Sequence, residues 1–160
     1  MEVSKKVIIA GHFGVGKSSL IKQFIHEKFS EQYMTTIGVK IDKKVVDVDG
    51  ARVNMILWDI AGESSATKIP KKYFMGAHGL IYVFDLTRPE SYERISDDIF
   101  EVTKDNPQIP SVVLGNKSDL VKDEFIEEIR SEIGVGFNLT SAKTGDNVES
   151  SFKSLAKEML

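Results

Sequence analysis

The sequence predicts an α/β domain: a six-stranded, mostly parallel sheet with one antiparallel strand, covered on both faces by about five helices. Two patterns carry this. Short apolar runs alternate along the chain with stretches whose apolar residues recur at helical spacing, and one pair of runs is joined by Asp49-Gly50, a strong hairpin signal. No linker, repeat or low-complexity stretch divides the 160 residues, of which 41% are hydrophobic and 28% charged, so a single domain spanning 1–160 is expected.

Val7-Ile8-Ile9-Ala10 is a buried strand feeding a turn at Gly11. Ser18 to Glu27 reads as a helix with Leu20, Ile21, Phe24 and Ile25 on one face. Lys40 to Val48 and Arg52 to Trp58 are the hairpin strands. Leu80 to Phe84 and Val112 to Leu114 are continuous apolar runs suited to central parallel strands. Between and after them, Glu90 to Thr103 and Lys122 to Ile133 read as helices, and Val135 to Leu139 as a last short strand. From Asp146 the chain carries Val148, Phe152, Leu155 and Met159, spaced for a docked amphipathic helix. In such sheets ligands bind beyond the carboxyl ends of the strands, and the motifs below fall there.

Composition removes several classes of function. The net charge is −3 and the pI about 5.7, so no positive field attracts nucleic acid. There is no Cys, which excludes disulfides, thiolate catalysis, Cys-based zinc sites and prenylation within these 160 residues, and fits a reducing cytoplasm. MEVSKK is too short and charged to open a signal peptide, Glu2 excludes N-myristoylation, and no apolar run approaches the roughly 20 residues that span a bilayer.

Gly11-His12-Phe13-Gly14-Val15-Gly16-Lys17-Ser18 fits G-x-x-x-x-G-K-[ST] and sits between a strand and a helix, the context that confirms a phosphate loop. Backbone N–H groups through Ser19 at the helix start form an anion-binding hollow. Lys17 neutralises phosphate charge and Ser18 ligates Mg²⁺. Asn116-Lys117-Ser118-Asp119 selects the base: the Asp119 carboxylate accepts two parallel hydrogen bonds from guanine N1–H and N2–H₂, a pair adenine lacks. Asn116 braces that loop, the Lys117 stem lies along the base, and Ser141-Ala142-Lys143 offers a backbone N–H to guanine O6. Each base motif alone would more often be an ordinary loop; in this order behind the phosphate loop they are specific.

With TTIG at 35–38, WDIAGE at 58–63 and YFMGAHG at 73–79 added, the chain resembles the Ras superfamily over essentially its whole length, and its Rab branch most of all. The resemblance implies a P-loop GTPase fold and a molecular switch that binds GTP or GDP with Mg²⁺. Thr36 matches the threonine that ligates Mg²⁺ and touches the γ-phosphate. Asp59 matches the carboxylate holding Mg²⁺ through water, Gly62 the glycine whose N–H reaches the γ-phosphate, and Tyr33 an aromatic that closes over the nucleotide. Phe29 matches the ring packed edge-on against guanine. Trp58 and Tyr73 match two members of an effector-reading apolar triad, with Ile41 where the third is usually Phe.

The sequence departs from that family at two points that bear on hydrolysis. Glu63 stands where a Gln usually orients the attacking water, and Phe13 fills a position normally small, where a ring would crowd an arginine finger from a partner. Switch I holds no Arg of its own. Slow hydrolysis is therefore expected, with Lys17, Thr36, Gly62 and Glu63 as the candidate catalytic set. The segment 64–70 departs from the usual switch II, so no particular effector is implied. The chain ends at Lys157-Glu158-Met159-Leu160 without the prenylated Cys of Rab and Ras tails. Either a tail is missing or the protein works without a lipid anchor, as tailless prokaryotic Ras-like proteins do. The expected partners are guanine nucleotide, effectors, and an exchange factor and activator acting through the switches, on a monomer. Two alternatives stand beside the slow GTPase: a module that binds GTP with negligible turnover, and an ATPase or nucleotide kinase on the same loop. Asp119 argues against the last.

Overall fold

The computed structural model describes residues 1–30, 38–60 and 69–160. Among these, six strands form one sheet in the order β2-β3-β1-β4-β5-β6. The strands are β1 (Glu2–Ala10), β2 (Val39–Val48), β3 (Ala51–Ile60), β4 (Gly79–Asp85), β5 (Ser111–Asn116) and β6 (Asn138–Leu139). Only the β2–β3 pair is antiparallel. Asp49 and Gly50 both take positive φ in the turn that joins it, as a tight hairpin requires.

Alternation along β1 explains the layers. Val7 and Ile9 point to one face, under α1 (Lys17–His26) and α4 (Val148–Glu158), with Leu20, Phe24, Phe152 and Leu155. Ile8 and Ala10 point to the other, under α2 (Ile95–Thr103) and α3 (Asp123–Ile133), with Tyr82, Phe84, Ile95 and Ile129. β4 is buried along its whole length, as a central parallel strand must be. Val148, Phe152, Leu155 and Met159 are all buried, so the tail helix docks by the face its spacing predicted.

The described residues hold four of the roughly five expected α-helices; the remaining one is expected between β3 and β4, where residues 61–68 lie outside the described residues and a 3₁₀ turn follows at Lys71–Phe74. Two expectations are corrected. The helix expected from Glu90 begins at Ile95, after a 3₁₀ turn at Pro89–Ser91. There the buried Ser91 hydroxyl accepts the Asp85 N–H at 2.9 Å and lies 2.7 Å from the Arg88 carbonyl, and Tyr92 takes a non-helical φ of −135°. These local side-chain bonds compete with the helix ladder. The last strand shrinks from 135–139 to two residues, because the Gly134 cap (φ 64°) turns the chain and only Asn138 and Leu139 meet β5.

Candidate functional site

The carboxyl ends of β1, β3, β4 and β5 bring the sequence motifs together. After β1 the chain enters the glycine loop, where Gly11, Gly14 and Gly16 all have positive φ. Gly16 (φ 104°) caps α1 in the left-handed region. A Cβ there would lie 2.3 Å from Asn116 Nδ2. That amide cannot move aside: it donates to the Val15 carbonyl at 3.0 Å, and its oxygen faces the Thr140 hydroxyl at 3.2 Å and the Ala142 N–H at 3.3 Å. Gly16→Ala is therefore expected to destabilise the fold by about 2–3 kcal/mol. Urea denaturation measures it, and a loss below about 0.5 kcal/mol would mean the loop adapts.

Lys17 is buried, and its ammonium donates inward to the carbonyls of Gly11 and His12, both at 3.1 Å. Burial pulls its pKa down from 10.5 to about 8, against a smaller upward pull from Asp59. At the next residue, the Ser18 hydroxyl donates to Asp59 Oδ2. Asp59 is buried at the end of β3, level with Ile9 of β1, which is how a residue 41 positions away reaches the loop. A hydroxyl and a carboxylate are hard oxygen donors. Among the described residues no cluster of three His, Cys, Asp or Glu could hold a metal. Two protein oxygens beside a phosphate-binding loop fit Mg²⁺, which keeps its waters and takes few protein ligands.

The base loop follows β5. Besides its own bonds, Asn116 anchors the loop after β6, so the two segments expected around a purine are held as one piece. Lys117 (φ 68°) reaches back over the phosphate loop, 3.4 Å from the Gly14 carbonyl, and its ammonium lies 2.8 Å from the fully buried Asp85 at the end of β4. Asp119 is exposed and receives the Ser141 hydroxyl at 2.7 Å, leaving a carboxylate aimed by a fixed neighbour. The Ser141 N–H donates to the Asp146 carbonyl at 3.2 Å. The Ala142 bond to Asn116, at 3.3 Å, is long enough to yield to a better acceptor. Gln23 of α1 donates to the Ala142 carbonyl at 2.7 Å. Lys143 is exposed, and Ser19 is half-buried in the first turn of α1. Phe29 is 38% exposed, so it is not a core residue.

Ile41 and Trp58 are directly opposed on the β2–β3 ladder, and Tyr73 lies 6.3 Å from Trp58 between ring centroids. Ile41 is 52% exposed, while Trp58 and Tyr73 are partly buried and pack against the core from the rim of the same patch. The Lys6 ammonium sits 3.8 Å over the Trp58 ring. Tyr33, Thr36, Gly62 and Glu63 lie outside the described residues.

Sequence reasoning missed three residues here. Asp85 had a signal, since it ends β4 as Asp59 ends β3. Arg88, whose guanidinium donates to the Phe13 carbonyl at 2.8 Å, and Asp98, whose carboxylate meets the His12 ring at 3.0 Å, had none, because those contacts are tertiary.

A strand, glycine loop and helix carrying a buried lysine, beside a base loop on the next parallel strands, define a P-loop nucleotide-binding domain. The Ras family model matches residues 6–160, and the chain belongs to the Ras family. It is thus a small GTP-binding protein of a family of GTPases that bind guanine nucleotide and Mg²⁺. No helix among the described residues is long and apolar enough to cross a membrane.

Proposed function

We propose that residues 1–160 form one switch domain that binds GTP or GDP with Mg²⁺, hydrolyses GTP slowly, and signals in the cytoplasm through a Rab-like effector surface. The observation that carries this reading is the convergence of the Lys17 ammonium, the Ser18 hydroxyl and the Asp59 carboxylate at one glycine loop. In this reading Lys17 offsets phosphate charge, and the N–H groups of the loop and of Ser19 hold phosphate oxygens. Ser18, Asp59 and Thr36 hold Mg²⁺, which when bound supplies charge neutralisation for phosphoryl transfer. Asp119 and the loop around Ala142 recognise guanine, with Phe29 against its edge. Gly62 and Thr36 sense the γ-phosphate. Glu63 accepts a hydrogen bond from the attacking water. Ile41, Trp58 and Tyr73 form the surface that a partner reads, and the regulators act through the flanking switches.

The second reading, a GTP-binding module with negligible turnover, is favoured by Phe13. Its ring is 43% exposed on the loop, and at that position it would crowd an arginine entering from a partner. Single-turnover GTP hydrolysis with Mg²⁺ separates the two. The expected result is slow but measurable turnover that Glu63→Gln alters by roughly tenfold or more. Retained GTP with no turnover in either protein would leave the binding module.

A further inference from the structure

We propose that Arg88 is a positioning residue for the nucleotide's phosphates: it completes a set of side-chain donors that holds the phosphate loop in its anion-binding shape. The inference rests on the functional reading above and adds a residue that the loop and base motifs do not contain.

The carbonyls of the loop are met one after another by side-chain N–H groups. Lys17 takes those of Gly11 and His12, Arg88 that of Phe13 at 2.8 Å, Lys117 approaches that of Gly14 at 3.4 Å, and Asn116 takes that of Val15 at 3.0 Å. The Gly16 carbonyl already accepts the Leu20 N–H inside α1. Lys17, Lys117 and Asn116 belong to the recognisable motifs; Arg88 comes from the segment after β4.

The peptides are trans, so each C=O and the next N–H point in opposite directions. Fixing the Phe13 carbonyl on Arg88 therefore turns the Gly14 N–H away from Arg88, leaving it free to serve an anion. Without that tie the 13–14 peptide, flanked by a glycine with φ of 76°, has freedom to rotate and present its carbonyl instead.

Arg88 is itself fixed. Its Nε donates to Glu90 at 3.0 Å, its carbonyl accepts the Ser91 hydroxyl at 2.7 Å, and its N–H donates to the Asp85 carbonyl at 3.0 Å. The neighbouring loop residue is braced from the same segment. Asp98 of α2 lies 3.0 Å from the His12 ring, and the buried Tyr82 hydroxyl reaches the same carboxylate oxygen at 3.5 Å. Burial and that carboxylate hold the Tyr82 phenol well above its usual pKa, so it stays a donor. Phe13, which fills a position normally small, and its neighbour His12 are thus the two loop residues that the β4–α2 segment grips.

An exposed arginine that merely paired with Glu90 would matter little to ligand affinity. The test is the affinity of Arg88→Ala and Arg88→Lys proteins for GDP and GMP, by competition against a fluorescent guanine nucleotide, with thermal unfolding of the nucleotide-free proteins alongside. Losing a charge-assisted bond that orients a loop amide is expected to weaken GDP roughly tenfold in Arg88→Ala while GMP changes less than about twofold. Arg88→Lys is expected to recover most of the loss. An unchanged GDP-to-GMP ratio, with or without lower stability, overturns the inference and leaves Arg88 a surface ion pair. Wild-type protein that binds GDP no better than GMP would instead overturn the reading of the loop on which the inference rests.

Discussion

Asp119→Asn is expected to weaken GDP binding by roughly a hundredfold to ten-thousandfold and to erase most of the preference for GDP over ADP. The carboxylate stands exposed after β5 with one oxygen held by the Ser141 hydroxyl at 2.7 Å, so its orientation is set before any base arrives. A guanine edge offers N1–H and N2–H₂ side by side, and a carboxylate accepts both. Asparagine keeps the shape but replaces one acceptor with an NH₂ donor, which faces a donor of the base. The variant therefore loses one charge-assisted bond and weakens the other, each worth about 1.5–3 kcal/mol. Adenine presents no such pair, so ADP has little to lose. Competition of GDP and ADP against a fluorescent nucleotide measures both affinities. An unchanged GDP-to-ADP ratio would remove Asp119 from base recognition.

Much of this site could be read from the chain because its chemistry is local. The phosphate loop needs glycines, a lysine and a serine at fixed spacing, and the 3.6-residue and two-residue periods mark the helices and strands around it. Asp59, which needs the β1–β3 register to reach Ser18, was legible only through the family pattern. What escaped depended on side chains meeting across the fold. Leu80 to Phe84 reads as a plain apolar strand, yet Tyr82 within it carries a hydroxyl to Asp98 of α2, and Asp98 in turn meets the His12 ring. Glu90 to Thr103 reads as one helix, and nothing in its periodicity shows that Ser91 turns back to cap β4 and so delays the helix to Ile95. Arg88, just ahead of the turn that Ser91 closes, reaches Phe13 from the rim of the sheet. The part of the site hidden from the sequence is thus the brace behind the loop, not the loop.

Lys17→Met is expected to change affinity and stability in opposite directions. The ammonium is buried, and its pKa is lowered to about 8 chiefly by desolvation, with only a partial offset from Asp59. In the nucleotide-free protein a charged Lys17 therefore opposes folding. The unfolded chain holds its proton up to the ordinary value near 10.5, whereas the folded chain releases it from about 8. Below pH 8 the penalty is fully present, amounting to about 3 kcal/mol at most. It fades as pH rises from 8 to 10.5, because the unfolded state then binds more protons than the folded one. Nucleotide-free Lys17→Met is thus expected to be more stable than wild type at pH 7, by about 1–3 kcal/mol once the carbonyls of Gly11 and His12 and the Asp59 charge have lost their partner. That gap should narrow as pH approaches 10.5. With nucleotide the sign reverses, since phosphate supplies the counter-charge that the empty loop lacks. The variant is expected to bind GDP at least about a hundredfold more weakly. Denaturation of both proteins from pH 7 to 10.5, with and without GDP, reads every term. A variant less stable than wild type at pH 7, with a gap insensitive to pH, would mean that Lys17 is comfortable in its carbonyl cradle and that the loop is not strained toward its ligand.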